Sequence, residues 1–155
     1  MRVGFFVTCL VDLMRPSIGF AAIELLEAGG AEVFVPPTQT CCGQPAFNAG
    51  LRDEARPVAE HTIRVFESTT GDIVMPSGSC AHMLKHNYAE LFADDPVWLP
   101  RAQSLASRVY EFTEYLVDKL GVTDLGAHWD GPLTYHPSCH LLRGMNIDRQ
   151  PRTLL

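Results

Sequence analysis

The stretch Cys41-Cys42-Gly43-Gln44-Pro45 lies between an apolar run and a helical pattern. A disulfide between neighbouring cysteines would close a small, strained ring, because disulfide geometry needs more separation than one peptide bond allows. Two adjacent thiols also add little to packing. The pair Cys41-Cys42 is therefore predicted to provide two ligands to one inorganic centre.

Three apolar runs each precede a cysteine-bearing loop. They are residues 3–7 before Cys9, residues 31–35 before the pair Cys41-Cys42, and residues 72–75 before Cys80. A helical pattern follows each loop, and strands that alternate with helices form a parallel sheet. The carboxyl ends of parallel strands open on one edge, where such folds bind ligands. Four thiols from three loops are therefore predicted to converge at that edge.

Composition limits the function classes. The chain has 155 residues, a formal net charge of −6 and 46% hydrophobic residues, which is typical of one globular domain. The negative charge and the lack of a basic run argue against nucleic-acid binding. The apolar runs are too short to span a bilayer and the start does not resemble a signal peptide, so we expect a cytoplasmic protein without a transmembrane segment. In a reducing compartment, five cysteines indicate metal binding or catalysis rather than a disulfide framework.

The predicted fold is an α/β domain of three layers, with a parallel sheet of about four strands flanked by helices and the cysteines at its carboxyl edge. The fourth strand is predicted at residues 133–136, after a long amphipathic helix over residues 100–120. A further helix is predicted over residues 81–92, which places Cys80 near a helix amino terminus. The dipole and free N–H groups there favour a thiolate.

The donor set itself leaves two metals open. Soft thiolate ligands select iron–sulfur clusters or zinc over hard cations, and four thiolates are the usual set for a cubane cluster. Zinc would accept two or three thiolates with an imidazole, and the candidate histidines are His82 with His86 and His136 with His140.

Three loop residues are further candidates for binding the cofactor. They are Gly43, Gly78 and Ser79. Glycines serve turns, but they also let backbone N–H groups approach cluster sulfurs, and we give these interpretations equal weight.

Three motifs carry a resemblance to a known family. They are Cys42-Gly43-Gln44-Pro45-Ala46, Met75-Pro76-Ser77-Gly78-Ser79-Cys80 and Tyr135-His136-Pro137-Ser138-Cys139. With Cys9, they resemble the cysteine-rich CCG domain found in heterodisulfide reductases, the glycolate oxidase iron–sulfur subunit and the lactate utilization protein A group, most closely the last.

The resemblance implies an iron–sulfur electron-transfer subunit for the oxidation of lactate, glycolate or another 2-hydroxy acid, with a [4Fe-4S] cluster. The implied ligands are Cys9, Cys41, Cys42 and Cys80, with Cys139 as a further candidate donor. Its partners would be other subunits of a lactate or glycolate oxidation complex, or further copies of the chain, and no residue would be catalytic. Ser77 stands where the fuller motif has a cysteine.

The family carries two such repeats. Residues 1–131 are expected to form the first repeat and residues 132–155 the start of an incomplete second one, because Cys139 follows its predicted strand as Cys9 follows the first. We expect the chain to be a fragment or to be completed by a partner. The alternatives are a zinc-binding or metal-free interaction module, and a thiol enzyme that uses Cys80.

Overall fold

The computed structural model describes all 155 residues and contains one parallel sheet. Its strands are β1 (Arg2–Phe5), β2 (Glu32–Phe34), β3 (Asp72–Met75) and β4 (Val109–Glu111). They lie in the order β2-β1-β3-β4, and each neighbouring pair is parallel. The predicted α/β class and the four-stranded parallel sheet are confirmed.

Helices connect the strands. The α-helices are α1 (Cys9–Met14), α2 (Pro16–Ala28), α3 (Gln44–Asn48), α4 (Arg52–Glu67), α5 (Gly78–His82), α6 (Tyr88–Leu91), α7 (Trp98–Ala106), α8 (Phe112–Glu114) and α9 (Arg149–Thr153). Three π-helical turns accompany them, at Met83–Asn87, Tyr115–Lys119 and His140–Gly144. The first joins α5 to α6 and the second continues α8. None of the helices has the length and apolar character that crossing a membrane requires.

The strand side chains pack into two apolar cores, one on each face of the sheet. Ile73 and Met75 pack with α4, α5, α6 and α7 in the larger core, which has 19 buried residues. Val74 points to the other face and packs with Phe5 and with Leu26 of α2. Because both faces are covered, the sheet is the middle of three layers, as predicted.

The strand order places a crevice at the carboxyl ends of β1 and β3. These strands are neighbours, while β2 and β4 lie on the outer sides, so the connections leave β1 and β3 in different directions. Parallel α/β sheets bind ligands at such a switch point. Cys9 follows β1 there, although it begins the short helix α1 rather than lying in a loop. Cys80 follows β3, in the first turn of α5.

The predicted helix over residues 100–120 is wrong in its middle. Helix α7 ends at Ala106, and β4 then pairs with β3 in the register Ile73↔Val109. Leu105, Val109 and Leu116 have helical spacing, and all three are buried. The spacing alone therefore did not reveal the strand, because pairing with the edge of β3 overrides the local pattern.

The predicted strand at residues 133–136 does not form. These residues have neither helical nor strand structure, and the side chain of Leu133 is 55% exposed. The fourth position in the sheet is occupied by β4 instead, so an apolar run here has no core to enter. The expected likeness of Cys139 to Cys9, each directly after a strand, is therefore absent. The division into repeats at residue 131 stays a prediction.

Candidate metal centre

Four cysteine thiols meet at the carboxyl edge in two close pairs. Cys9 Sγ lies 3.6 Å from Cys41 Sγ, and we call these residues the outer thiol pair. Cys42 Sγ lies 3.5 Å from Cys80 Sγ, and we call these the inner thiol pair. The pairs share the peptide bond between Cys41 and Cys42. The predicted meeting of three loops at one edge of the sheet is therefore present in the structure.

The outer thiol pair lies at the surface. Both cysteines are half-buried and line a cleft of about 280 Å³, together with Leu13, Val35 and Gln39. Thr8, just before Cys9, is buried and has a positive φ of 70°. A β-branched residue adopts such a backbone at a cost of about 1–3 kcal/mol, so the surrounding structure holds this turn against strain.

The inner thiol pair belongs to the larger core. Cys42 is 2% exposed and Cys80 is 8% exposed, and both pack in the apolar cluster beneath α4 and α6. Ser77 caps α5, and its hydroxyl accepts a hydrogen bond from the N–H of Cys80 at 3.4 Å. Thus the residue that replaces a motif cysteine has a structural role as a helix cap.

Buried polar groups hold the backbone of the double cysteine. The hydroxyl of Tyr88, which is fully buried in α6, donates to the carbonyl of Cys42 at 2.9 Å. Burial raises the pKa of Tyr88 well above its ordinary value, so the hydroxyl keeps its proton and remains a donor. The hydroxyl of Thr62 in α4 approaches the carbonyl of Cys41 at 3.4 Å.

The thiol environments shift their acidity in opposite directions. The hydrogen bond from Cys42 lowers the pKa of Cys80 from 9.0 to about 7, with further help from the hydroxyls of Ser77 and Ser79. The same bond, followed by burial, raises the pKa of Cys42. Burial, and then the neighbouring thiols of Cys41 and Cys80, raises the pKa of Cys9.

The three predicted cofactor-binding residues differ in their contacts. Gly43 has a φ of +80°, which favours glycine, and its N–H approaches Cys41 Sγ at 3.4 Å. Gly78 packs against Leu141, and a Cβ at this position would come within 2.8 Å of that side chain. Ser79 accepts a hydrogen bond on its carbonyl from the side chain of Gln44 at 2.9 Å. Gly43 thus combines the turn and the sulfur contact, whereas Gly78 serves close packing.

Three histidines cluster together, and one of them, His82, lies two residues after Cys80 in the chain. The ring of His82 lies 5.0 Å from that of His86 and 5.2 Å from that of His140, measured between ring centres. His136, the fourth zinc candidate, is not in this contact. No three Cys, His, Asp or Glu side chains surround one point closely enough to ligate a single ion.

Cys139 stands apart from the other thiols. It is exposed, and neither thiol–thiol contact includes it. The turn His140–Gly144 that follows it packs on α5 through Leu141, which is 7% exposed. Cys139 as a further donor stays a prediction.

Sequence reasoning did not identify Thr8, Gln39 and Tyr88 as part of the site. Tyr88 has the apolar spacing of an ordinary core residue, and Gln39 precedes the motif without any pattern of its own. Gln44 lies within the motif Cys42-Gly43-Gln44-Pro45-Ala46, and this position was the only sequence signal for a residue near the thiols. Their contacts depend on loops that meet only in the folded chain.

Comparison with known proteins is consistent with this geometry. The profile of the cysteine-rich domain family CCG matches residues 3–85. Lactate utilization protein A of Exiguobacterium sp. is 49% identical over 155 residues, which cover 99% of this chain and 63% of that protein. The protein of the same name from Bacillus pumilus is 49% identical, with 100% of this chain and 64% of that protein covered. Lactate utilization protein A 1 of Bacillus cereus is 47% identical, with the same coverage of 100% and 64%.

The chain thus spans less than two thirds of the length of these relatives. No solved structure gives a significant match. A cysteine-rich domain whose thiols lie this close together is compatible with a metal cluster.

Proposed function

This chain belongs to the cysteine-rich CCG domain family, and from that premise we propose that it is an iron–sulfur electron-transfer subunit for the oxidation of a 2-hydroxy acid. One observation carries the proposal. Four thiols from three separate segments of the chain, each following a strand, meet as two pairs at one edge of the sheet. The proposed ligands are Cys9, Cys41, Cys42 and Cys80, and the proposed cofactor is a [4Fe-4S] cluster.

Four thiolates are the usual donor set of a cubane cluster, and the four thiols in two pairs supply that number. Cluster ligation uses one cysteine thiolate for each of several irons, so the thiols need not point at one atom. A mononuclear zinc site needs three or four donors around one centre, and no such group of donors is present. The ring contacts of His82 are with His86 and His140.

The residues around the thiols suit an electron carrier. A bound cluster supplies one-electron transfer, and hydrogen bonds to its sulfurs raise its reduction potential. The N–H of Gly43 is placed to make such a bond to Cys41 Sγ. Ligation requires thiolates, so binding displaces the thiol protons. The pKa of Cys80, lowered to about 7, makes this residue the first of the inner thiol pair to provide one.

The names of the relatives support the choice of substrate class. The matched relatives are called lactate utilization protein A, which favours lactate, or a similar 2-hydroxy acid such as glycolate, as the electron source. We propose that another subunit of the complex dehydrogenates the acid and that electrons reach this chain through the outer thiol pair, which borders the cleft.

Metal analysis of anaerobically purified protein tests this function. The full chain is assayed for iron, acid-labile sulfide and zinc, and its visible absorption is recorded. We expect brown protein with iron and sulfide in equal amounts, because a cubane contains them in equal numbers. Colourless protein with stoichiometric zinc would support the zinc module instead. Protein that remains metal-free after anaerobic reconstitution with iron and sulfide would support a metal-free interaction module, and both results contradict the proposal.

A further inference from the structure

Two glutamines flank the double cysteine at equal distances along the chain. Gln39 lies two residues before Cys41, and Gln44 lies two residues after Cys42. Both side chains are half-buried, and both make hydrogen bonds to backbone groups of another cysteine loop. We propose that they are positioning residues, with Gln39 fixing the outer thiol pair and Gln44 fixing the inner one.

Gln39 continues the sheet where its backbone pairing ends. The parallel register of β1 with β2 stops at Gly4↔Phe34. Pro36 and Pro37 follow β2, and neither has an N–H with which to extend the ladder. The backbone groups at the end of β1 therefore need another partner on this side.

The side-chain amide of Gln39 provides that partner. Its Oε1 accepts from the N–H of Val7 at 2.8 Å, and its Nε2 donates to the carbonyl of Phe5 at 3.2 Å. The same Nε2 donates to the carbonyl of Pro36 at 3.1 Å. One side chain thus ties the segment before Cys9 to the segment before Cys41, whose thiols form the outer thiol pair.

Gln44 makes the equivalent connection on the other side. It is the first residue of α3, and its Nε2 donates to the carbonyl of Ser79 at 2.9 Å. Ser79 directly precedes Cys80, so this bond ties the segment after Cys42 to the loop of its partner thiol. No hydrogen bond connects Gln39 to the inner thiol pair or Gln44 to the outer one. Each glutamine therefore acts on its own pair.

Pair-specific oxidation of the metal-free chain tests this inference. Diamide takes two electrons and two protons from a thiol pair as the disulfide forms, and mass spectrometry of unreduced peptides shows which loops are joined. Leucine keeps the approximate size of glutamine but has no amide, so the variants are Gln39→Leu and Gln44→Leu. Gln103→Leu, at an exposed position in α7, is the matched control.

We expect Gln39→Leu to slow formation of the Cys9–Cys41 disulfide about fivefold, because one lost hydrogen bond usually costs about 1 kcal/mol. The Cys42–Cys80 disulfide should keep its rate. Gln44→Leu should show the reverse, and Gln103→Leu should change neither. Equal slowing of both disulfides by either variant, or no slowing at all, would overturn the proposal.

Conservative variants separate positioning from general stability. Gln39→Glu keeps an acceptor for the N–H of Val7 but places a carboxylate oxygen against the two carbonyls that Nε2 contacts, so it should slow the outer disulfide at least as much as Gln39→Leu. If the leucine variants do not fold, Gln39→Glu and Gln44→Glu take their place. The rates of the Cys9–Cys41 and Cys42–Cys80 disulfides are then compared in the same way. Should Gln39→Glu slow both pairs equally, the inference fails.

The importance of these residues for a cluster rests on the proposed function. In reconstituted protein, we expect each leucine variant to shift the electron paramagnetic resonance spectrum of the reduced cluster, whereas Gln103→Leu should leave it unchanged. Protein that never acquires a cluster would contradict the proposed function, while the disulfide rates would still decide the inference about the two glutamines.

Discussion

The outer and inner thiol pairs are linked through the adjacent residues Cys41 and Cys42, yet the surroundings of the two pairs are opposite. Cys9 and Cys41 line an open cleft, whereas Cys42 and Cys80 are buried among the side chains of the larger core. The outer pair follows a strained turn at Thr8, and the inner pair is held by a helix cap at Ser77. A change of one residue along the chain therefore moves a thiol from the surface into the core.

The contrast indicates that the two thiol pairs have different roles within one site. Burial excludes water from the inner thiol pair and fixes it through packing, so it is suited to anchoring a cofactor. The outer thiol pair lines a cleft of about 280 Å³ that opens to the surface. Exchange of electrons with a partner is expected on that side.

The largest difference between the pairs is expected in thiol alkylation. In metal-free protein, iodoacetamide should modify exposed Cys139 first and the outer thiol pair next. The inner thiol pair should react about a hundredfold more slowly than the outer one, because its reaction requires local opening of the core. Mass spectrometry of timed samples measures each site. Equal rates for Cys9 and Cys80 would remove the distinction between the pairs.

A smaller difference is expected in stability. Cys42→Ser places a hydroxyl in an apolar core and should lower the free energy of unfolding of the metal-free protein by about 1–3 kcal/mol. Cys9→Ser, at a half-buried position, should change it by less than about 0.5 kcal/mol. Urea denaturation followed by circular dichroism compares the two variants. A larger loss for Cys9→Ser than for Cys42→Ser would contradict the burial contrast.

The acid–base behaviour of the inner thiol pair gives a third prediction. Because the pKa of Cys80 is lowered from 9.0 to about 7, this thiol loses its proton in the folded protein near pH 7 rather than near pH 9. Thiolate absorbance in the ultraviolet should therefore rise in metal-free protein near pH 7.

Two variants check the assignment of that transition. Cys42→Ala removes the main hydrogen bond to Cys80 and should move the transition upward, towards the ordinary thiol pKa. Cys139→Ser, at an exposed position without contact to the pair, should leave it in place. A transition near pH 7 that persists in Cys80→Ser would show that another thiol causes it.

The sequence predicted those parts of the fold that depend on continuous local patterns. Residues 72–75 combine an apolar run with a following turn, and they form β3 with the same bounds. The edge where Cys9, Cys42 and Cys80 meet followed from a general property of parallel sheets rather than from any one residue. The arrangement of the thiols could therefore be predicted without knowing how the loops pack.

The predictions that were wrong concern segments whose structure depends on pairing with residues distant in sequence. Val109 has the spacing of a helix but enters the sheet, because the edge of β3 offers it hydrogen-bond partners and burial. Leu133 begins an apolar run that finds no such edge and remains exposed. The amide of Gln39 likewise gained its role only from the ends of two strands that are distant in sequence.

Iron and acid-labile sulfide per chain, measured anaerobically across five cysteine-to-serine variants, test the central claim most directly. The claim predicts that loss of Cys9, Cys41, Cys42 or Cys80 each removes most of the bound iron, because every one of them is a ligand. Cys139→Ser is the matched control and should keep the iron content of the unaltered protein. Full iron content in any of the first four variants, or its loss in Cys139→Ser alone, would contradict the account.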